Sequence, residues 1–258
     1  MRVLTLTVSN QKGGVGKTTT CINLAAELGR QGFSVLSVDI DPQANCTSGL
    51  GVALPANTPS LYDVLLGEVP PEEAIHKTRW KGVSILPATL DLAGAEIELA
   101  SVISRETKLR RTISRIREFD IAILDCPPSL GMLTVNALVA ADKLVIPIQC
   151  EYFALEGVGQ LSRTISLVQN SLNPNLEISG ILLTMYDSRT RLSNDVAEEV
   201  RRQFGDIVFK TIIPRNVKLA EAPSYAEPIC YYDFSCSGAK AYEEFAKEVS
   251  SLWLKDAH

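Results

Sequence analysis

The chain has 258 residues, 46% hydrophobic and 21% charged, with a formal net charge of −5. That much apolar material can bury one large core, so a single domain over 1–258 is expected. The acidic balance is the reverse of a dedicated nucleic-acid binder, and six cysteines without a C-x-x-C pair give no zinc or disulfide framework.

Taken in chain order, residues 2–7 (RVLTLT) form a short β-branched, apolar run that reads as a strand. The loop Lys12-Gly13-Gly14-Val15-Gly16-Lys17-Thr18-Thr19 follows it. Residues 18–30 then place Ile22, Leu24, Ala25, Ala26 and Leu28 at helical spacing, and Gly32 ends the helix. Strand, glycine loop and helix together make a phosphate site. Glycines let backbone N–H groups turn inward, and the helix N-terminus adds partial positive charge. The usual pattern is Gly, four residues, then Gly-Lys-Ser/Thr. Gly16-Lys17-Thr18 fits it, but Gln11 stands at the leading position and Lys12 is an extra lysine. Lys17 is expected on the β/γ oxygens of a triphosphate, and the Thr18 hydroxyl in a Mg²⁺ shell.

The run 34–38 (SVLSV) leads into Asp39, Ile40, Asp41 and Pro42, and the run 120–124 (DIAIL) leads into Asp125 and Cys126. Carboxylates at the C-terminal ends of buried parallel strands lie where open α/β sheets bind ligands. Asp125 is the expected partner, direct or through water, of the Mg²⁺ that Thr18 holds. Asp41 suits the orienting of an attacking water. Asp39 either approaches the metal or only fixes the loop by hydrogen bonds. Turns at 55–59 and 67–71 flank a short helix. Further strand-like runs at 83–86, 144–148, 178–185 and 207–213 alternate with helical patterns. The fold class expected is therefore α/β, a mostly parallel twisted sheet with helices on both faces.

Two sets of cations are candidates for polyanion contact. Residues 105–118 hold Arg105, Lys108, Arg110, Arg111, Arg115 and Arg117 against Glu106 and Glu118, and read first as a solvated helix face. Arg189, Arg191, Arg201, Arg202, Lys210, Arg215 and Lys218 are scattered. The last helix, 238–254, carries Tyr242, Phe245, Ala246, Val249, Leu252 and Trp253 as a core stripe, without the cationic excess that attracts lipid. The apolar region 133–148 is interrupted by Asp142 and Lys143, so no membrane span is expected. Nor is a signal peptide, because the first apolar run is short and leads straight into the loop.

Four blocks, NQKGGVGKTTT (10–20), VDIDPQAN (38–45), DCPPSLG (125–131) and IPRNVKLAEAPS (213–224), resemble the ParA/Soj family of chromosome- and plasmid-partitioning ATPases, within the MinD/ParA superfamily of SIMIBI-class P-loop NTPases. The resemblance runs over essentially the whole chain. It implies ATP and Mg²⁺ as cofactors and a weak intrinsic ATPase with Lys12, Lys17 and Asp41 as its catalytic set. Lys12 becomes the signature lysine of a deviant Walker A loop, reaching the partner subunit's ATP in a sandwich homodimer much as an arginine finger does. Lys12, Gly13, Gly14, Val15, Gly16, Lys17, Thr18 and Thr19 would hold the nucleotide, with Gly13 near the dimer interface and Pro214 and Asn216 at the adenine. Arg189 and Lys218 fall where relatives carry residues implicated in nonspecific binding of double-stranded DNA. Ser235-Cys236-Ser237, by contrast, stand where many relatives have an Arg-bearing segment, which would weaken phosphate contacts.

The resemblance further implies a ParB-type partner that stimulates hydrolysis, and a cytoplasmic protein, nucleoid-associated when ATP-bound, that acts without a membrane. No N-terminal helix-turn-helix extension is expected. The alternative is a MinD-like or orphan positioning ATPase acting on a protein or membrane-associated cargo. Iron–sulfur relatives and small-molecule ligases are disfavoured, because the cysteines offer no shared cluster and no substrate pocket is hinted at.

Overall fold

Residues 4–8, 35–39 and 121–125 are buried almost throughout, as strands covered on both faces must be. The computed structural model describes residues 2–152 and 156–254. Among them are eight strands: β1 (Leu4–Val8), β2 (Val35–Asp39), β3 (His76–Lys77), β4 (Val83–Leu86), β5 (Ile121–Asp125), β6 (Lys143–Gln149), β7 (Ile178–Tyr186) and β8 (Val208–Pro214). They make one sheet in the order β3-β4-β2-β5-β1-β6-β7-β8. Every neighbouring pair is parallel except β3 with β4.

Alternation along the strands divides the core between two faces. In β5, Ile121 and Ile123 pack with the helix Lys17–Gln31 and the C-terminal helix Ser237–Trp253, while Ala122 and Leu124 pack on the opposite side. In β6, Val145 joins the first face, and Leu144, Ile146 and Ile148 meet the helices Glu156–Ser171 and Arg191–Phe204 on the second. The chain builds outward from β1 to one side through β2 and β4, and to the other through β6, β7 and β8. Connections therefore change direction at β1, and the crevice at its C-terminal end is the natural ligand site of such a sheet.

The α/β class and the helices on both faces agree with the sequence reading; the differences lie at the edges. β2 and β5 begin one residue later than their apolar runs because Ser34 and Asp120 are used to join them, Ser34 N donating to Asp120 Oδ2 at 2.8 Å. The two-residue β3 is too short to show a period. Residues 105–118 are not one helix: a 3₁₀ turn at Arg105–Thr107 gives way to a helix at Lys108–Ile113. Ser104 in the left-handed region (φ 56°) starts that break. Leu252, read into the terminal stripe, is 58% exposed, whereas Tyr242, Phe245, Ala246 and Val249 are buried as expected.

Phe245 is fully buried and meets Phe209 of β8 edge-on, with ring centroids 4.9 Å apart. Phe245→Ala is expected to cost about 3–5 kcal/mol by leaving a cavity between the terminal helix and the sheet. Urea unfolding checks this, with a lowered midpoint at unchanged slope as the result.

Candidate nucleotide site

The chain leaves β1 in the middle of the sheet and turns at once. Asn10, buried, fixes the turn from both ends of its amide: Nδ2 donates to Pro147 O at 2.7 Å, and Oδ1 accepts from Lys12 N at 3.0 Å. From β7, Thr184 Oγ1 donates to Val15 O at 2.9 Å. Gly14 (φ 73°) and Gly16 (φ 89°) are left-handed, a conformation that curls successive N–H groups around an anion and that a Cβ would strain. Gly16 is also the N-cap of the helix Lys17–Gln31, so the loop sits on a helix N-terminus.

Lys17 is only 6% exposed, and its Nζ donates to Lys12 O at 3.1 Å. Burial lowers its pKa below the usual lysine range, against the pull of Asp125, Cys126 and Asp41. Phosphate oxygens at the loop would favour the charged form further. Lys12 behaves differently. Its contacts are made by its backbone, and its ammonium has no hydrogen bond or ion pair among the described residues. Beside it, Gly13 and Gly14 are exposed.

Asp39 and Asp125 are register partners at the ends of β2 and β5, and both are fully buried. Their environments differ. Asp39 Oδ1 accepts from Asp41 N, and its Oδ2 accepts from both Thr47 N and Thr47 Oγ1, at 2.7–3.1 Å. Both oxygens are thus committed to holding the loop, leaving Asp39 little to offer a metal. Asp125 Oδ1 accepts weakly from Cys21 Sγ at 3.5 Å, and its Oδ2 has no hydrogen-bond partner among the described residues. Burial, then the neighbouring Asp39 carboxylate, push the Asp125 carboxyl upward, while the Thr18 and Cys21 side chains favour its charged form. An unpartnered buried carboxylate oxygen beside Thr18 fits a hydrated Mg²⁺, whose water and charge would satisfy it. Asp41, 8% exposed, accepts from Gln43 N through Oδ1 at 3.0 Å. It lines, with Lys17 and Thr18, a cavity of about 630 Å³.

A second cavity, of about 380 Å³, opens from the same loop through Gly16, Thr19 and Met185. Its walls include Ile213, Pro214, Asn216 and Tyr242, which give apolar faces on which a purine can stack. Met185, next to last in β7, has φ 52°, a conformation costing on the order of 1–3 kcal/mol in a non-glycine residue. That strain sits where the two cavities meet. Asn216 is held at both ends of its amide, Oδ1 accepting from Lys218 N and Nδ2 donating to Ser237 Oγ.

Arg189 lies on the loop that leaves β7 and Lys218 in the short helix Val217–Glu221 after β8, and Arg215 N ties the two connections together by donating to Tyr186 O at 2.8 Å. The Arg189 guanidinium grips Asp187 with two bonds, and Lys218 Nζ meets Glu221 Oε2 at 2.9 Å. Both cations are exposed, so little energy holds them against a phosphate competitor. Cys236, in the segment that lacks arginine, caps the terminal helix by accepting from Ala239 N. Among the described residues, no helix is long and apolar enough to cross a membrane.

Comparison with known proteins places these features in a family. The family model described as an AAA domain matches residues 3–178. The chain is 51% identical to the chromosome partitioning protein ParA of Caulobacter vibrioides over 249 residues, covering 95% of this chain and 93% of that one. It is 52% identical to the sporulation initiation inhibitor protein Soj of Bacillus subtilis over 247 residues, with 95% and 98% covered. Among solved structures, a chain described as cobyrinic acid a,c-diamide synthase of Mycobacterium smegmatis, with bound ATP analogue and magnesium, superposes at a TM-score of 0.85 and 43% identity, covering 98% and 96%. The cell division ATPase MinD of Pyrococcus furiosus superposes at 0.80 and 28% identity, covering 96% and 99%.

Proposed function

Because the chain belongs to the ParA/Soj family of partitioning ATPases, we propose that residues 1–258 act as one nucleotide-timed unit that binds ATP with Mg²⁺, pairs with a second copy and then holds duplex DNA. Hydrolysis returns monomers and releases the DNA. In the proposed site, the N–H groups of residues 13–19 and the Lys17 ammonium hold the phosphates. Thr18 and, through water, Asp125 hold the metal, which when bound neutralises charge on the β and γ oxygens. Asp39 shapes the loop, Asp41 orients the attacking water, and the base lies against Pro214 and Asn216. Lys12 serves the ATP of the partner subunit.

The observation that carries this reading is the division between the two lysines. Lys17 is buried and bonded within its own loop, while the Lys12 ammonium has no hydrogen bond or ion pair among the described residues and lies beside exposed glycines. The DNA-facing surface proposed is the loop of Arg189 with the short helix of Lys218, at the same end of the strands as the nucleotide.

ATP turnover measured with duplex DNA and with the N-terminal peptide of a ParB-type protein tests the reading. Stimulation that needs both supports it. Arg189→Glu with Lys218→Glu is expected to lose that stimulation and the ATP-dependent mobility shift on random duplex, while keeping ATP binding. A second reading has one observation in its favour, the 43% identity to the diamide synthase chain. It requires turnover that depends on a carboxylic acid substrate and an ammonia donor and ignores DNA. Relatives bearing partitioning names are more similar, at 51% and 52%.

A further inference from the structure

Three buried thiols lie beside β2 and β5, close to the strand-end carboxylates. Cys126 follows Asp125 and packs with Leu124 on one side of the sheet, while Cys21 and Cys46 pack on the other. Cys46 Sγ lies 3.3 Å from Ser37 Oγ of β2. Cys21 Sγ donates instead to Asp125 Oδ1 at 3.5 Å, with Leu124 O more distant at 3.9 Å. Both Cys21 and Asp125 are 0% exposed. Helix geometry brings the thiol there. Cys21 stands three residues after Thr18 and four after Lys17, so all three side chains share one face of the helix Lys17–Gln31.

An aspartate carboxylate turns easily about χ2, and in water its two oxygens are equivalent. Buried, they are told apart by what touches them. Oδ1 of Asp125 has the thiol, and Oδ2 has no hydrogen-bond partner among the described residues. A thiol is a weak donor, but polar contacts gain strength in the low dielectric of a buried site. A neighbouring carboxylate disfavours the thiolate, so the sulfur keeps the hydrogen it donates. Thr18 also favours the charged carboxylate, yet its hydroxyl is a metal ligand in the proposed site. That leaves the thiol to fix the rotation of the carboxylate. Asp39, the register partner of Asp125, cannot take over, because both of its oxygens already hold the loop.

We infer that Cys21 is a positioning residue for Mg²⁺: its thiol holds Asp125 Oδ1 and thereby presents Oδ2 to the water of the metal. This role rests on the reading that Thr18 and Asp125 hold the ion. Cys21 touches neither nucleotide nor metal in it, and acts only through the carboxylate. Residues that orient a metal ligand in this way commonly set the affinity for the ion as strongly as they set activity.

Cys21→Ala and Cys21→Ser test this together, since both remove the sulfur and only serine keeps a donor. The measurement is the affinity for a fluorescent ATP analogue, in EDTA and across a series of free Mg²⁺ concentrations. Cys21→Ala is expected to match the parent in EDTA and to need about 10-fold more Mg²⁺ for half of the gain in affinity, the lower end of the range for such residues. Cys21→Ser is expected to follow the parent. A Cys21→Ala protein with the parent's Mg²⁺ requirement overturns the inference. So does a Cys21→Ser protein as impaired as Cys21→Ala, because the sulfur then acts by packing. Weaker binding in EDTA also overturns it, since the thiol then supports the loop and not the metal. Asp125→Asn separates the two levels. If it raises the Mg²⁺ requirement while Cys21→Ala does not, the metal reading stands and the thiol's role falls. If Asp125→Asn leaves the Mg²⁺ response of the parent intact, both fall.

Discussion

Asp41→Ala is expected to bind ATP, to accumulate ATP-dependent dimers and to lose turnover by about 10²–10⁴-fold, the range for removing a side chain that handles the proton or water of the reaction. Three carboxylates stand near the phosphate end of the loop, and their surroundings separate them. Asp39 accepts from three donors of its own loop, so its removal would deform the site before it affected chemistry. Asp125 is wholly buried beneath the loop, with the unpartnered oxygen that suits a metal shell. Asp41 lines the cavity shared with Lys17 and Thr18, and among the described residues its carboxylate is engaged only through Oδ1, by Gln43 N. Losing that one bond costs about 1 kcal/mol, too little to unfold the chain. Asp41→Asn sharpens the test, because its amide oxygen can still accept from Gln43 N while the charge is gone. Single-turnover hydrolysis and light scattering with ATP are the measurements. If Asp41→Asn hydrolyses ATP normally, the residue shapes the loop and does not orient water.

The phosphate loop was legible because its chemistry is local. A strand, two glycines that must take positive φ and a helix start all fall within residues 4–31, and each leaves its own mark on the sequence. The strand-end carboxylates were legible too, since an apolar run closing on an aspartate needs no tertiary information. What tells those aspartates apart is not local. Thr47, eight residues beyond Asp39, commits that carboxylate to the loop, and Cys21 on the opposite helix leaves Asp125 half satisfied. The anchors of the loop were missed for the same reason. Thr184 reaches Val15 from 169 positions away, and a threonine in a strand gives no sign of such a partner. Asn10 lay inside a recognised block, but its bond to Pro147 depends on β6 lying beside β1. Left-handed Met185 had no signal at all, because only the meeting of two cavities explains strain at an ordinary methionine.

Lys12→Ala is expected to keep ATP but to lose ATP-dependent dimers, with turnover falling by about 10³-fold or more, the scale of a cation supplied in trans. The argument rests on which of its atoms are used. Lys12 N donates to Asn10 and Lys12 O accepts from Lys17, and both bonds survive replacement by alanine. The loop that holds the subunit's own triphosphate is therefore unchanged, and a defect can come only from the ammonium, which has no partner among the described residues. Mixing makes the test decisive. In an equimolar mixture of Lys12→Ala and Asp41→Ala chains, a heterodimer contains one site with both groups: Asp41 from the first chain and Lys12 from the second. Turnover should reappear on mixing two proteins that are inactive apart. If Lys12 serves the ATP of its own loop, neither site of the heterodimer is complete and mixing restores nothing. ATP-dependent dimers of Lys12→Ala alone would also reject the trans role, because the free ammonium would then have no part in closing two protomers on their nucleotides.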